Sequence, residues 1–114
     1  MDQKPLPENE SSTPRSGSAD KTVRAHVWVK GRVQGVGFRA YVEYSARQIG
    51  SVTGWVRNVG YDTVEAIVEG EQKNAEKLIQ AIKDGPRGSR VDQSKVEWET
   101  PTGEFDRFGV RRSL

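Results

Sequence analysis

The sequence predicts an α+β sandwich in which an antiparallel sheet carries two helices on one of its faces. Three observations predict it. Val23 to Lys30 alternates apolar and polar residues, as a strand with one buried face does. Residues 38–49 and 71–83 instead place apolar residues at helical spacing. The segments that follow each helix return to alternation, so the element order is strand, helix, strand, strand, helix, strand, with one further strand at the end.

Residues 1–21 read as a disordered tail and residues 22–114 as the folded domain. Pro5, Pro7 and Pro14 fall in the tail with four serines, and its only large apolar side chains are Met1 and Leu6. Such a segment cannot bury enough surface to offset the entropy of ordering it. In the first strand Val23, Ala25, Val27 and Val29 point one way, and Arg24, His26, Trp28 and Lys30 the other. Phe38, Tyr41, Val42, Ser45, Ala46 and Ile49 share one face of the first helix, with Arg39, Glu43 and Arg47 away from it. Gly50 supplies the residue that helix ends prefer.

Val52 to Asn58 forms the second strand and Thr63 to Glu69 the third, and the short connection between them makes an antiparallel hairpin. Val64, Ala66 and Val68 are expected in the core, with Glu65 and Glu69 facing water. The second helix, Glu71 to Lys83, has Ala75, Leu78, Ile79 and Ile82 as its apolar stripe and ends at Gly85-Pro86. Arg87 to Gln93 is expected to be a surface loop, Lys95 to Thr100 a strand, and Phe105 to Arg111 a last strand with Phe108 and Val110 on one face. Two strand–helix–strand units joined in this order give the ferredoxin-like βαββαβ arrangement.

Composition narrows the chemistry. The chain has no cysteine and one histidine, His26, which excludes thiolate nucleophiles and multi-histidine metal sites, so no metal or other cofactor is expected. A net charge of +2 suits an anionic small-molecule ligand but is too small for a nucleic-acid arm. No apolar run is long enough to span a membrane, and no secretory signal is present, so a cytoplasmic protein is expected. Every apolar stripe has a place in one core, which points to a monomer.

The candidate site is Gly31-Arg32-Val33-Gln34-Gly35-Val36-Gly37-Phe38-Arg39, a glycine-rich turn from strand to helix. Glycines at such a turn let several backbone N–H groups point inward beside the positive end of a helix, which is an anion site. Arg39, in the first helical turn, could reach the same anion with its planar fork. The Walker phosphate loop is excluded because Phe38-Arg39 follows Gly37, and the dinucleotide pattern because Ala40 stands where its third glycine would be. From the residues alone, the loop is equally consistent with a phosphate cradle and with a turn tightened for packing. Asn58 is a common residue type where a strand gives way to a turn, and Trp28, Trp55 and His26 read as structural.

That loop, followed by Gly54-Trp55-Val56-Arg57-Asn58, resembles the acylphosphatase family, as do Val64-Glu65 and Ser89-Arg90-Val91-Asp92. The resemblance covers residues 22–114 in order. One departure is Asp62-Thr63 in the hairpin, where members of the family often have Asp-Gly. The resemblance implies the ferredoxin-like fold and hydrolysis of the carboxyl–phosphate bond of acyl phosphates to a carboxylate and inorganic phosphate. It implies that the amides of Val33, Gln34, Gly35, Val36, Gly37 and Phe38 bind the phosphate, that Arg39 is the phosphate-binding arginine, and that Asn58 orients the attacking water.

That chemistry fits what the chain lacks. A carboxylate leaving group, with a conjugate acid of pKa about 4, departs without a strong general acid. Phosphoryl transfer is chiefly positioning and charge stabilisation, which amides and an arginine supply. Two rivals share the fold. An RNA binder would use aromatic residues on the open sheet face, but the third strand, with Val64, Glu65, Ala66 and Ile67, lacks the aromatic-rich consensus of such binders. A non-catalytic anion-binding or regulatory domain would have no need for a residue that holds water.

Overall fold

The computed structural model describes residues 21–114, so the expected tail lies outside the described residues except for Lys21. In chain order the elements are β1 (Thr22–Arg32), α1 (Phe38–Ile49), β2 (Val52–Val59), β3 (Thr63–Glu71), α2 (Gln72–Asp84), β4 (Arg90–Glu99) and β5 (Phe108–Val110). They form one sheet of order β4-β1-β3-β2-β5. The first four strands pair antiparallel throughout, in the ferredoxin-like order. The alternation in β1 holds as expected: Ala25, Val27 and Val29 are fully buried beneath the helices. They meet Val64, Ala66 and Val68 of β3, Phe38, Val42 and Ala46 of α1, and Ala75, Leu78, Ile79 and Ile82 of α2. Burial of each large side chain there stabilises the fold by about 1.5–3 kcal/mol.

Four expectations are corrected. The sheet is mixed, because β5 runs parallel to β2. β4 ends at the end of the sheet where β2 begins; residues 100–107 cross to the far edge there, so β5 can only run alongside β2 in the same direction. The last strand is also shorter than expected, and Val110 is exposed. β4 begins at Arg90, so much of the expected loop 87–93 is strand. A bulge between Lys30 and Gly31 lets Gly31 and Arg32 pair with Val91 and Arg90.

The fourth correction concerns the sheet face away from the helices. Glu65 and Glu69 do not face water: they are 7% and 3% exposed. Segment 100–107 folds over this face, and the Thr102 and Gly103 N–H groups donate to Glu69 at 2.9 and 3.0 Å. Arg24 adds a 2.8 Å bond to the same carboxylate. Glu65 lies 2.7 Å from Arg57 Nε and 2.6 Å from His26 Nε2. Trp55 and Ile67 are buried on this face too, with the Arg57 and Arg111 guanidinium groups over the indole ring.

Burial pushes both carboxyls up, but the hydrogen bonds outweigh it. Those from His26 and Arg57 hold Glu65, and those from Thr102, Arg24 and Gly103 hold Glu69, below the ordinary carboxylate value. A carboxyl held low in the folded state contributes stability that is present above its ordinary value and is lost as pH falls through the depressed one. The urea midpoint is therefore expected to fall steeply below about pH 4. Glu69→Gln should flatten that acid limb and cost about 1–3 kcal/mol at pH 7. An acid limb in Glu69→Gln as steep as in the wild type would assign it to other carboxylates.

Candidate active site

The turn from β1 into α1 is built on backbone conformation. Gly35 and Gly37 have φ of 75° and 76°, the left-handed region that glycine enters without strain. Gly37 caps α1 through its backbone, and its carbonyl accepts the first helical bond, from the Tyr41 N–H at 3.0 Å. Among the described residues, no backbone acceptor pairs with the N–H groups of Gln34, Gly35, Val36 or Gly37. Four adjacent donors at the positive end of a twelve-residue helix, with no acidic residue in its first turn, form an electropositive cradle.

Arg39, the second residue of α1, is half-buried at this mouth. Glu43, one turn on, pairs with Arg47 at 3.3 Å. Asn58 arrives from β2, which the sheet places beside the loop. Its backbone is fixed by the pairing with Val64 and by a 2.9 Å bond from the Leu114 N–H to its carbonyl. Its side-chain Oδ1 is buried and has no hydrogen-bond partner among the described residues. A buried acceptor left so is costly unless a ligand or water uses it.

A cavity of about 340 Å³ joins these parts. Of the expected site residues, Val33, Gln34, Gly35, Gly37, Phe38, Arg39 and Asn58 all line it. Val36 does not, since its side chain packs against the core and only its amide is left for a ligand. Ala40, Glu43 and Val110 complete the wall and were not anticipated. The spacing of Glu43 from Arg39 could have indicated it, because residues four apart share a helix face. Nothing local could have indicated Val110, which reaches the cavity only through the parallel pairing of β5. His26 lies elsewhere, on the opposite sheet face, stacked on Trp28 and held by Glu65. Among the described residues, no group of acidic, histidine or cysteine side chains is arranged to hold a metal ion, and no helix is long and apolar enough to cross a membrane.

The family model described as Acylphosphatase matches residues 25–110, most of the chain, including the whole cavity. The chain belongs to the acylphosphatase family. It is 47% identical over 87 residues to an acylphosphatase of Roseiflexus sp., covering 76% of this chain and 92% of that protein. With the acylphosphatase of Chloroflexus aurantiacus the identity is 49% over 88 residues, covering 77% and 95%. In three dimensions it is similar to an acylphosphatase from Coxiella burnetii, with a TM-score of 0.74 and 30% identity over 85% of this chain and all of that one. Acylphosphatases are enzymes that hydrolyse acyl phosphates, and both the ferredoxin-like fold and the acylphosphatase character expected from the two motifs therefore hold.

Proposed function

We propose that this chain hydrolyses small-molecule acyl phosphates by in-line attack of a water at phosphorus, with residues 22–114 as the catalytic unit. The observation that carries this reading is that one cavity brings together the unpaired loop amides, Arg39 and Asn58, a residue whose buried Oδ1 has no hydrogen-bond partner among the described residues. The amides of residues 33–38 and the Arg39 guanidinium hold the phosphate oxygens, and their hold strengthens as charge gathers on those oxygens in the transition state. Asn58 Oδ1 accepts a hydrogen bond from the water and so turns an oxygen lone pair toward phosphorus. The carboxylate leaves as an anion without protonation, which suits a cavity whose one wall carboxylate among the described residues, Glu43, is already paired with Arg47.

The water's proton passes to a phosphate oxygen of the substrate itself. His26 cannot serve, because it projects from the far face of the sheet into a hydrogen bond with Glu65. A site that only bound an anion would leave the buried Asn58 oxygen without a purpose. The protein acts as a cytoplasmic monomer, which cell fractionation and sedimentation would check.

The test is single-turnover hydrolysis of benzoyl phosphate in H₂¹⁸O with EDTA present. Attack at phosphorus puts the label in inorganic phosphate and none in benzoate, and His26→Ala reacts at the wild-type rate. Label in benzoate would mean attack at the carbonyl carbon and would overturn the mechanism. A collapse of rate in folded His26→Ala would overturn the substrate-assisted proton transfer.

A further inference from the structure

We propose that the Gln34 side chain is a positioning residue that locks the phosphate loop to the strand carrying Asn58, so that water and phosphorus are held in register. The inference rests on the proposed roles of the loop and Asn58 and goes beyond them, because it assigns a function to a side chain rather than to a loop amide.

The Gln34 amide nitrogen sits at the open end of the β2–β3 hairpin. It lies 2.9 Å from the Thr63 carbonyl oxygen, 3.2 Å from that of Gly60 and 3.3 Å from that of Val59. Three carbonyl oxygens around one nitrogen require it to be the donor, and its two protons are shared among them. Val59 follows Asn58 directly, and Val59 and Thr63 form the last rung of the hairpin. One side chain from the middle of the cradle therefore grips the chain immediately after the water-holding residue. Apart from it, a bond from the Gly31 N–H to the Asp62 carbonyl at 2.9 Å ties the start of the turn to the hairpin. The loop and Asn58 come from separate elements, and no hydrogen bond between the Asn58 side chain and the loop is present among the described residues. The Gln34 clamp is thus the side-chain tie between the phosphate loop and the residues that follow Asn58.

Such a clamp acts on the chemical step more than on binding. Without it, the loop amides and Arg39 still hold phosphate, but the water drifts relative to phosphorus. A displacement of about 1 Å in a reacting group can cost on the order of 10²-fold in rate.

The experiment compares wild type, Gln34→Met, Gln34→Glu, Asn58→Ala and the Gln34→Met/Asn58→Ala double variant on benzoyl phosphate, with inhibition by inorganic phosphate measured for each. Gln34→Met keeps the length and removes both donors; Gln34→Glu keeps the shape and places a carboxylate among carbonyl oxygens, so either folded variant suffices. The expected result is a 10- to 100-fold fall in kcat, with the phosphate inhibition constant within about twofold of wild type. In the Asn58→Ala background, Gln34→Met should have little further effect, because the two act as a unit.

Wild-type kcat in folded Gln34→Met would overturn the clamp. So would a matching loss of phosphate inhibition, which would place Gln34 on the anion instead, or full additivity in the double variant. Full activity in Asn58→Ala would instead overturn the water-holding role on which the clamp depends.

Discussion

Arg39→Ala and Asn58→Ala should each lower turnover of benzoyl phosphate by about 10²–10³-fold while leaving the fold intact. The two losses should differ in kind. Arg39 contributes the one side-chain cation that the described residues place in the cavity wall. Its removal weakens the hold on phosphate in the ground state and more strongly in the transition state, so KM rises, kcat falls and inhibition by inorganic phosphate is lost together. Arg39→Lys should recover little, since a point charge cannot grip two oxygens in one plane. Asn58 touches the water rather than the phosphate. Its loss should appear almost wholly in kcat, with KM and phosphate inhibition near wild type. Both positions are half-buried at the cavity mouth, so circular dichroism should show folded protein. A folded Asn58→Ala enzyme whose KM rises while kcat holds would move Asn58 from the water to the phosphate.

Gly54→Ala should be the most damaging single methyl group in the chain. Gly54 lies in β2 with φ of 133°, and an added Cβ would overlap the carbonyl oxygen of Ile67 on the neighbouring strand. The obstruction is backbone, which no rotamer change relieves. The strand is also held from its other side, where the Gly54 N–H donates to Arg107 at 3.1 Å and Phe108 is its partner in β5. The steric overlap and the strained φ together should cost more than about 3 kcal/mol. For a domain of this size that is a large part of the total stability. A large drop in urea midpoint or insoluble expression is expected, and activity should fall with it because β2 carries Asn58. A midpoint within error of wild type would show that β2 and β3 can separate enough to admit the methyl group.

Gly54 also shows where sequence reasoning reaches its limit. The Gly54-Trp55 pair was legible as part of a motif, but the need for glycine there is set by Ile67, which is thirteen residues away in sequence and adjacent in space. Glu65 and Glu69 show the same limit. Their alternation with Val64, Ala66 and Val68 correctly placed them on the face away from the helices, and nothing in that pattern reveals that segment 100–107 covers this face. The expectation that they face water failed because burial depends on what arrives from elsewhere in the chain. The loop 87–93 was misread for a related reason: Arg90 to Gln93 has the composition of a turn, and its pairing with β1 makes it strand.

The sequence by itself determined the order of elements, which face of each helix and central strand is apolar, and the place of the glycine turn with Arg39 one residue into α1. These are properties of consecutive residues: period, turn chemistry and the geometry of a helix start act over a few positions. Asn58 was identified only through its motif. Tertiary structure alone decided that Asn58 lines the same cavity as the loop with its side-chain oxygen buried and unpartnered among the described residues, that the Gln34 amide spans from that loop to the hairpin, and that Glu43 and Val110 complete the wall. Each depends on which strands lie side by side and how closely, and that spacing is set by closure of the whole sheet around one core.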